Sequence, residues 1–424
     1  MAEEPRGLAL TLLFIQWVTV VYEPHWYAAA KGPDVVLKLP LILFASIVVI
    51  LAIGVPITES WQRRWQWYAP LLAYIAVCAV MVPFAPNIGY ARMSLQTIVL
   101  WWGMIAATGA IVDSPRRAEF LLKMYAFAFL WWAVWGLRFG LVQWHYSLSN
   151  YDGFGAFNVG GFGICYFLAM GATNRKLKYI MYAIAALCAM GVVASFARGA
   201  FLALTIVLFT IWLRSPHKGR TFLAMAGAVV VIVAAASLLF DEGFFWNEIM
   251  SVFEEGTTEG TGEDRMILWG AGWRVFTEHP FLGSGLRNWG VVAASLFQPG
   301  ELPGDYANPG RLYTMNLHNV WLTILAETGI IGSLAFLWIL IDFWRRNKAL
   351  RTPEAEARWH AMGGTLKLRP VALGLEASMI AFIFNSIIYA MMSLHWFWTM
   401  LGLNFLLHSL VINQAPRRAR TRGK

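Results

Sequence analysis

Apolar runs long enough to cross a bilayer recur along the whole of this 424-residue chain, and no other feature restricts its fold as much. They lie near residues 8–24, 39–56, 68–86, 93–113, 119–140, 157–173, 178–196, 199–214, 220–240, 319–341, 370–391 and 394–412. Each is close to the about 17–25 residues that a spanning helix needs. Lipid offers the backbone no hydrogen-bond partner, so such runs must close their own bonds as helices. The expected fold is an all-α polytopic membrane protein with about twelve transmembrane helices. Composition agrees: 58% of residues are hydrophobic and 13% charged, against about 25% charged in a typical soluble domain. The first run follows the acidic "MAEEPRG" and lacks a small-residue cleavage site, so a span is expected there rather than a removable signal.

Lysine and arginine set the orientation. One alternating set of loops carries "QRR" (62–64), "SPRR" (114–117), "NRKLK" (174–178), "RSPHKGR" (214–220), "WRRNKALRTPEAEARWH" (344–360) and the basic tail 414–424. The other set carries only isolated cations, among them Arg198, Arg265, Arg287 and Arg311. The first set is expected to be cytoplasmic, with both termini inside and residues 241–318 facing outward. The net charge of +9 is accounted for by this asymmetry and by contact with anionic lipid; it gives no ground for nucleic-acid binding. The expected division is 1–240 (nine spans), 241–318 (the outward segment), 319–413 (three spans) and 414–424 (the tail).

The outward segment is not simply polar. "FFWNEIMSVF" (244–253) and "DRMILWGAGWRVFTEH" (264–279) place apolar residues at i, i+3, i+4 and i+7, as short amphipathic helices on a membrane surface do. Asp264 is a cap candidate for the second, and the Gly- and Pro-rich stretch 298–311 suggests a mobile loop. The 22 tryptophans, many at span ends, suit interfacial anchoring, with stacking on sugar rings the alternative for any one of them.

Arginine on the outward side runs against the charge rule. A guanidinium presents a planar fork of donors that matches phosphate oxygens. Near lipid it needs an anionic partner: either a phosphate ligand, or a nearby acid such as Glu263, Asp264, Glu278 or Glu327. His318 stands where the helix of 319–341 begins, and the positive end of a helix dipole disfavours imidazolium. A neutral ring there can act as a general base, or can simply be a hydrogen-bonded structural residue. Asn319 is a helix cap or an accessory group, and Glu327 an accessory or packing carboxylate inside the span.

Metal chemistry finds no support in the spacing. His25, His145, His279 and His395 are scattered, and Cys78, Cys165 and Cys188 all lie inside apolar runs. No phosphate-binding P-loop and no Gly-x-Ser-x-Gly elbow occurs.

Three stretches, "SFARGAFLAL" (195–204), "EDRMILWGAGWRVFTEHPFLGSGLRNW" (263–289) and "LHNVWLTILAETGIIG" (317–332), resemble the O-antigen ligase and polymerase family of bacterial envelope enzymes. The last, a His-Asn pair entering an apolar helix that contains Glu-x-Gly, is the most specific. The family's Ser-Arg-Gly is Ala197-Arg198-Gly199 here, with the arginine kept. The resemblance implies a largely helical, GT-C-like glycosyltransferase of the bacterial inner membrane, with its site facing the periplasm and no cofactor or metal. Its donor would be a glycan on undecaprenyl pyrophosphate and its acceptor lipid A–core lipopolysaccharide, with transfer inverting C1. His318 would be the catalytic base, Arg198, Arg265 and Arg287 the pyrophosphate ligands, and Arg311, Asn319 and Glu327 accessory residues. The alternatives within the family are an O-antigen polymerase and a protein O-glycan ligase; outside it, a non-catalytic lipid or glycan transporter.

Overall fold

In the computed structural model of the protein, residues 3–22, 45–49, 68–137, 139, 141–142, 150–239, 261–389 and 395–413 are described. Among these residues every regular element is a helix and no strand occurs. The α-helices are α1 (Glu3–Tyr22), α2 (Ala69–Met81), α3 (Ile88–Ile111), α4 (Pro115–Gly136), α5 (Tyr151–Gly171), α6 (Arg175–Ala194), α7 (Arg198–Arg214), α8 (Lys218–Leu239), α9 (Thr261–Glu278), α10 (Trp289–Leu296), α11 (Val320–Leu350), α12 (Pro353–Ala361), α13 (Leu368–Asn385) and α14 (His395–Asn413). Six of them, α3, α4, α5, α6, α11 and α13, are long and apolar enough to cross a membrane, and Gly7–Thr19, Ala69–Phe84 and Trp396–Ile412 are shorter apolar helices. The described residues thus form an all-helical structure in which six helices are candidate membrane spans. Of the twelve expected runs, 39–56 lies almost wholly outside the described residues, as does the amphipathic stretch 244–253.

Helix α5 is the axis of the bundle. Of its apolar window 83% is buried, against 50–67% for the other five long helices. Its sequence, YDGFGAFNVGGFGICYFLAMG, explains this position. Small residues let neighbouring backbones come close in lipid, and Phe154, Phe157, Ile164 and Phe167 fill the space between. A Cβ on Gly155 would lie 2.8 Å from the Ala200 Cβ, so this glycine is what lets the turn between α6 and α7 rest on α5.

Helix α11 is broken. Gly329 adopts φ +60°, ψ −166° inside it, and a Cβ there would collide with the Phe281 carbonyl. A break in an apolar helix exposes backbone polar groups that lipid cannot satisfy. The segment 280–285 supplies the partners: Ile330 N–H donates to Pro280 O (2.8 Å), Ser284 N–H to Ala326 O (2.8 Å) and Gly285 N–H to Glu327 O (2.9 Å). Past the break, Ile330–Leu350 is about 32 Å long at about 1.5 Å per residue, close to the about 30 Å of bilayer hydrocarbon. Glu327 therefore precedes that unbroken stretch, within the helix Val320–Leu350 as a whole.

Residues 261–318 form a folded cap with its own core. Leu268 and Val275 of α9 meet Trp289 of α10 and Phe297 just after it, closed by Tyr306 and Leu312. The stretch 298–311 is accordingly not a plain loop. It contains the 3-10 turn Gly304–Ala307 and the first half of the turn Pro309–Thr314, held by those two buried side chains. Asp264 lies in the first turn of α9, after its start at Thr261, so it is not the cap.

Candidate functional site

The N-termini of α5, α7, α9 and α11 and the C-terminus of α13 meet at one end of the bundle. His318 immediately precedes α11 and is pinned by its neighbours. Trp269 Nε1 of α9 donates to Leu317 O at 2.9 Å, and Val320 N–H donates to Ser386 O, just after α13, at 2.8 Å. Asn319 is the helix cap, accepting from Leu322 N–H at 3.0 Å. Held between these anchors, His318 adopts φ +50°. Positive φ is costly for a side-chain-bearing residue, about 1–3 kcal/mol, and among the described residues only Phe196 (φ +49°) and Arg287 (φ +55°) share it outside glycine. One of these precedes Arg198 by two positions and the other is itself a candidate. All three strained positions thus fall in the segments singled out from sequence.

The His318 ring is half-buried, and its Nδ1 is enclosed without a hydrogen-bond partner. A buried polar nitrogen left unpaired is costly, so Nδ1 has acceptor capacity that the protein itself does not use. Burial first, and then the Arg265 charge, hold the imidazole below its ordinary pKa, while Asp152 pulls it back up. The ring is therefore neutral near pH 7, as a base must be. Its flank is Tyr389, with ring centroids 6.3 Å apart.

Arg265, in the first turns of α9, pairs with Asp152 of α5 through Nη2 and Oδ2 at 3.3 Å. None of the expected partners, Glu263, Asp264, Glu278 or Glu327, forms this pair. Arg198 opens α7, and a Cβ on the following Gly199 would lie 3.2 Å from Ile388, beside Tyr389. His318, Arg265, Asp152 and the start of α7 thus share one corner.

Arg287 approaches from another side. Asn288 Nδ2 donates to Asn87 O at 3.2 Å and Asn288 Oδ1 accepts from Asn87 N–H at 2.7 Å, clasping this turn to the start of α3. The exposed Arg287 guanidinium lies over the Tyr90 ring at 5.1 Å from its centroid. Glu327 is tied to the turn that carries Arg287, its backbone O accepting from Gly285 N–H at 2.9 Å. Arg311 is paired with Asp305 at 2.9 Å on an exposed surface.

The sequence reading missed Asn150, Asp152 and Tyr389. Asn150 caps α5, accepting from Gly153 N–H at 2.7 Å, and donates its Nδ2 to Tyr389 Oη at 2.7 Å. A signal was present: "SNYDGFG" (149–155) pairs a cap residue with an acid in the first turn. Starting the span at 157 instead of 151 hid it. Tyr389 had no local signal.

A family model described as O-antigen ligase matches residues 183–337. The matched part is a domain of the O-antigen ligase family. A comparison with curated proteins finds no match. The matched stretch holds Arg198, Arg265, Arg287, Arg311, His318, Asn319 and Glu327, whereas Asn150, Asp152 and Tyr389 lie outside it. Among the described residues no three His, Cys, Asp or Glu side chains gather as metal ligands would.

Proposed function

We propose that the protein is an O-antigen ligase of the bacterial inner membrane, with twelve spans, cytoplasmic termini and a periplasmic site. It transfers a glycan from undecaprenyl pyrophosphate to a hydroxyl of lipid A–core lipopolysaccharide. The observation that carries this reading is the unpartnered, enclosed Nδ1 of His318 beside the part-buried Arg265.

The acceptor hydroxyl oxygen forms a bond to C1 of the donor sugar as the bond from C1 to the phosphate oxygen breaks. With the imidazole proton on Nε2, His318 Nδ1 receives the hydroxyl proton, a step worth roughly 10²–10⁴ in rate. The bonding electrons leave with the pyrophosphate. Arg198 and Arg265, with Arg287 from the α3 side, take up its charge; one such preorganised donor is worth roughly 10²–10³. A single attack inverts C1.

Reconstitution of the purified protein with lipid-linked glycan and lipopolysaccharide tests this reading, with EDTA in parallel reactions. Expected is glycan on the core with inverted linkage, undiminished by EDTA. Elongation of a second lipid-linked repeat in place of core modification would make the protein a polymerase, and glycan on protein alone would make it a protein ligase. Donor movement across the membrane with no new glycosidic bond would make it a transporter. A strict, restorable metal requirement would remove the arginines as the charge-balancing groups.

A further inference from the structure

The geometry points to Asp152 as a positioning residue of this transfer site, one that fixes the direction of Arg265 and balances the charge around His318; this rests on the proposed transfer reaction. The family match begins at residue 183, so Asp152 lies outside it. The pair with Arg265 uses one guanidinium nitrogen, Nη2, and one carboxylate oxygen. A guanidinium has five N–H donors, so this single contact uses one of them and leaves four for a phosphate, whereas a forked pair would have used two. Both side chains are part-buried, 22% exposed for Arg265 and 32% for Asp152, so the contact is less screened than a surface pair.

The same turn of α5 also reaches His318. Asn150 anchors Tyr389 through its hydroxyl, and the Tyr389 ring flanks the imidazole. Asp152 follows in the first turn, where the helix dipole favours an anion. Among the described residues, Arg265 of α9 and Asp152 of α5 act electrostatically on the ring, and Tyr389, from the turn after α13, flanks it. This arrangement addresses a conflict in the proposed chemistry. Arginines that grip a pyrophosphate also repel a proton from the neighbouring imidazole, and a base that is too weak transfers protons poorly. One carboxylate at this position keeps the base usable while leaving the guanidinium fork open.

The test uses the full chain in proteoliposomes. Asp152→Asn is nearly isosteric and still accepts from Arg265, but has lost the charge. Its acid limb in kcat/KM against pH should move down by about one unit, the size of a neighbouring opposite charge, with donor KM little changed. Asp152→Ala also frees Arg265, so its donor KM should rise about tenfold or more, the loss of a charge-assisted hydrogen bond. Asp152→Glu should restore the acid limb. NMR titration of histidine-labelled protein, assigned by His318→Gln, follows the ring without any turnover and should show the same downward move in Asp152→Asn. An unmoved His318 titration in Asp152→Asn, or an unchanged donor KM in Asp152→Ala, overturns the inference. If the parent protein transfers no glycan, the proposed function fails, while the NMR arm still decides whether Asp152 sets the state of His318.

Discussion

The two ends of the helix bundle treat charge in opposite ways. At the end away from His318, carboxylates are saturated, two of them buried. Glu119, 2% exposed, accepts from Thr365 N–H (2.5 Å), Thr365 Oγ1 (2.5 Å) and Leu366 N–H (2.8 Å) and pairs with Lys123. Glu376 lies between Arg214 and Arg351 and also takes Asn347 Nδ2. Glu356 holds the first N–H groups of α13, those of Leu368 and Arg369, at 3.0 and 2.9 Å. At the His318 end the inventory is incomplete. Nδ1 of His318 is enclosed and unpaired, Arg265 is held by one nitrogen, and the backbone is strained at Phe196, Arg287 and His318. A charge with all its partners is a structural fastener; one with partners missing, on strained backbone, waits for a ligand.

That contrast can be broken at either end. The largest effect is expected for His318→Ala: transfer should fall roughly 10²–10⁴-fold with the protein still folded. Because the ring is held below its ordinary pKa and must be neutral to act, the parent rate should be full near pH 7 and decline only below that ordinary value of 6.5. His318→Gln separates a base from a mere hydrogen-bond partner, since substantial residual turnover would mean the latter.

Next is Arg265→Lys, which keeps the charge and loses the fork; turnover should drop roughly 10²–10³-fold, with expression and insertion normal. Full activity would demote Arg265 to a diffuse positive field. Glu119→Leu probes the saturated end. It strands the buried N–H groups of Thr365 and Leu366, each worth about 1–3 kcal/mol, so thermal unfolding should come earlier while transfer per folded molecule is unchanged. A specific loss of turnover there would show that the two ends are coupled. The smallest effect belongs to Glu301→Gln. The exposed Arg274–Glu301 pair sits on the rim of the cap, at 40% and 38% exposure, and such pairs contribute at most about 1 kcal/mol; neither melting nor transfer should change measurably.

The helices of the bundle were legible because the cost of unpaired backbone in lipid is local and large. The runs at 319–341 and 370–391 are the helices Val320–Leu350 and Leu368–Asn385, misplaced mainly at their ends. Helix ends depend on caps and packing rather than hydropathy, which is how Asn150 and Asp152 came to be assigned to a loop. The seven candidate residues were visible because they fall in local patterns: an arginine on the wrong side, a histidine at a helix mouth, a carboxylate in an apolar run. Their grouping was not visible.

By itself, then, the sequence determined that this chain folds as apolar helices, and which unusual charges it carries toward one end of them. Periodicity and desolvation act over a few residues, and a single chain displays them directly. Tertiary structure alone decided which charges meet. Asp152 reaches Arg265 across 113 positions and Asn150 reaches Tyr389 across 239, while Arg311 turns to Asp305 and Arg287 to Tyr90. Those choices depend on how close the glycines of α5 let neighbouring helices approach, and on the break at Gly329 that draws residues 280–285 against α11. Helix packing sets both, and no local pattern encodes the distance between two helices.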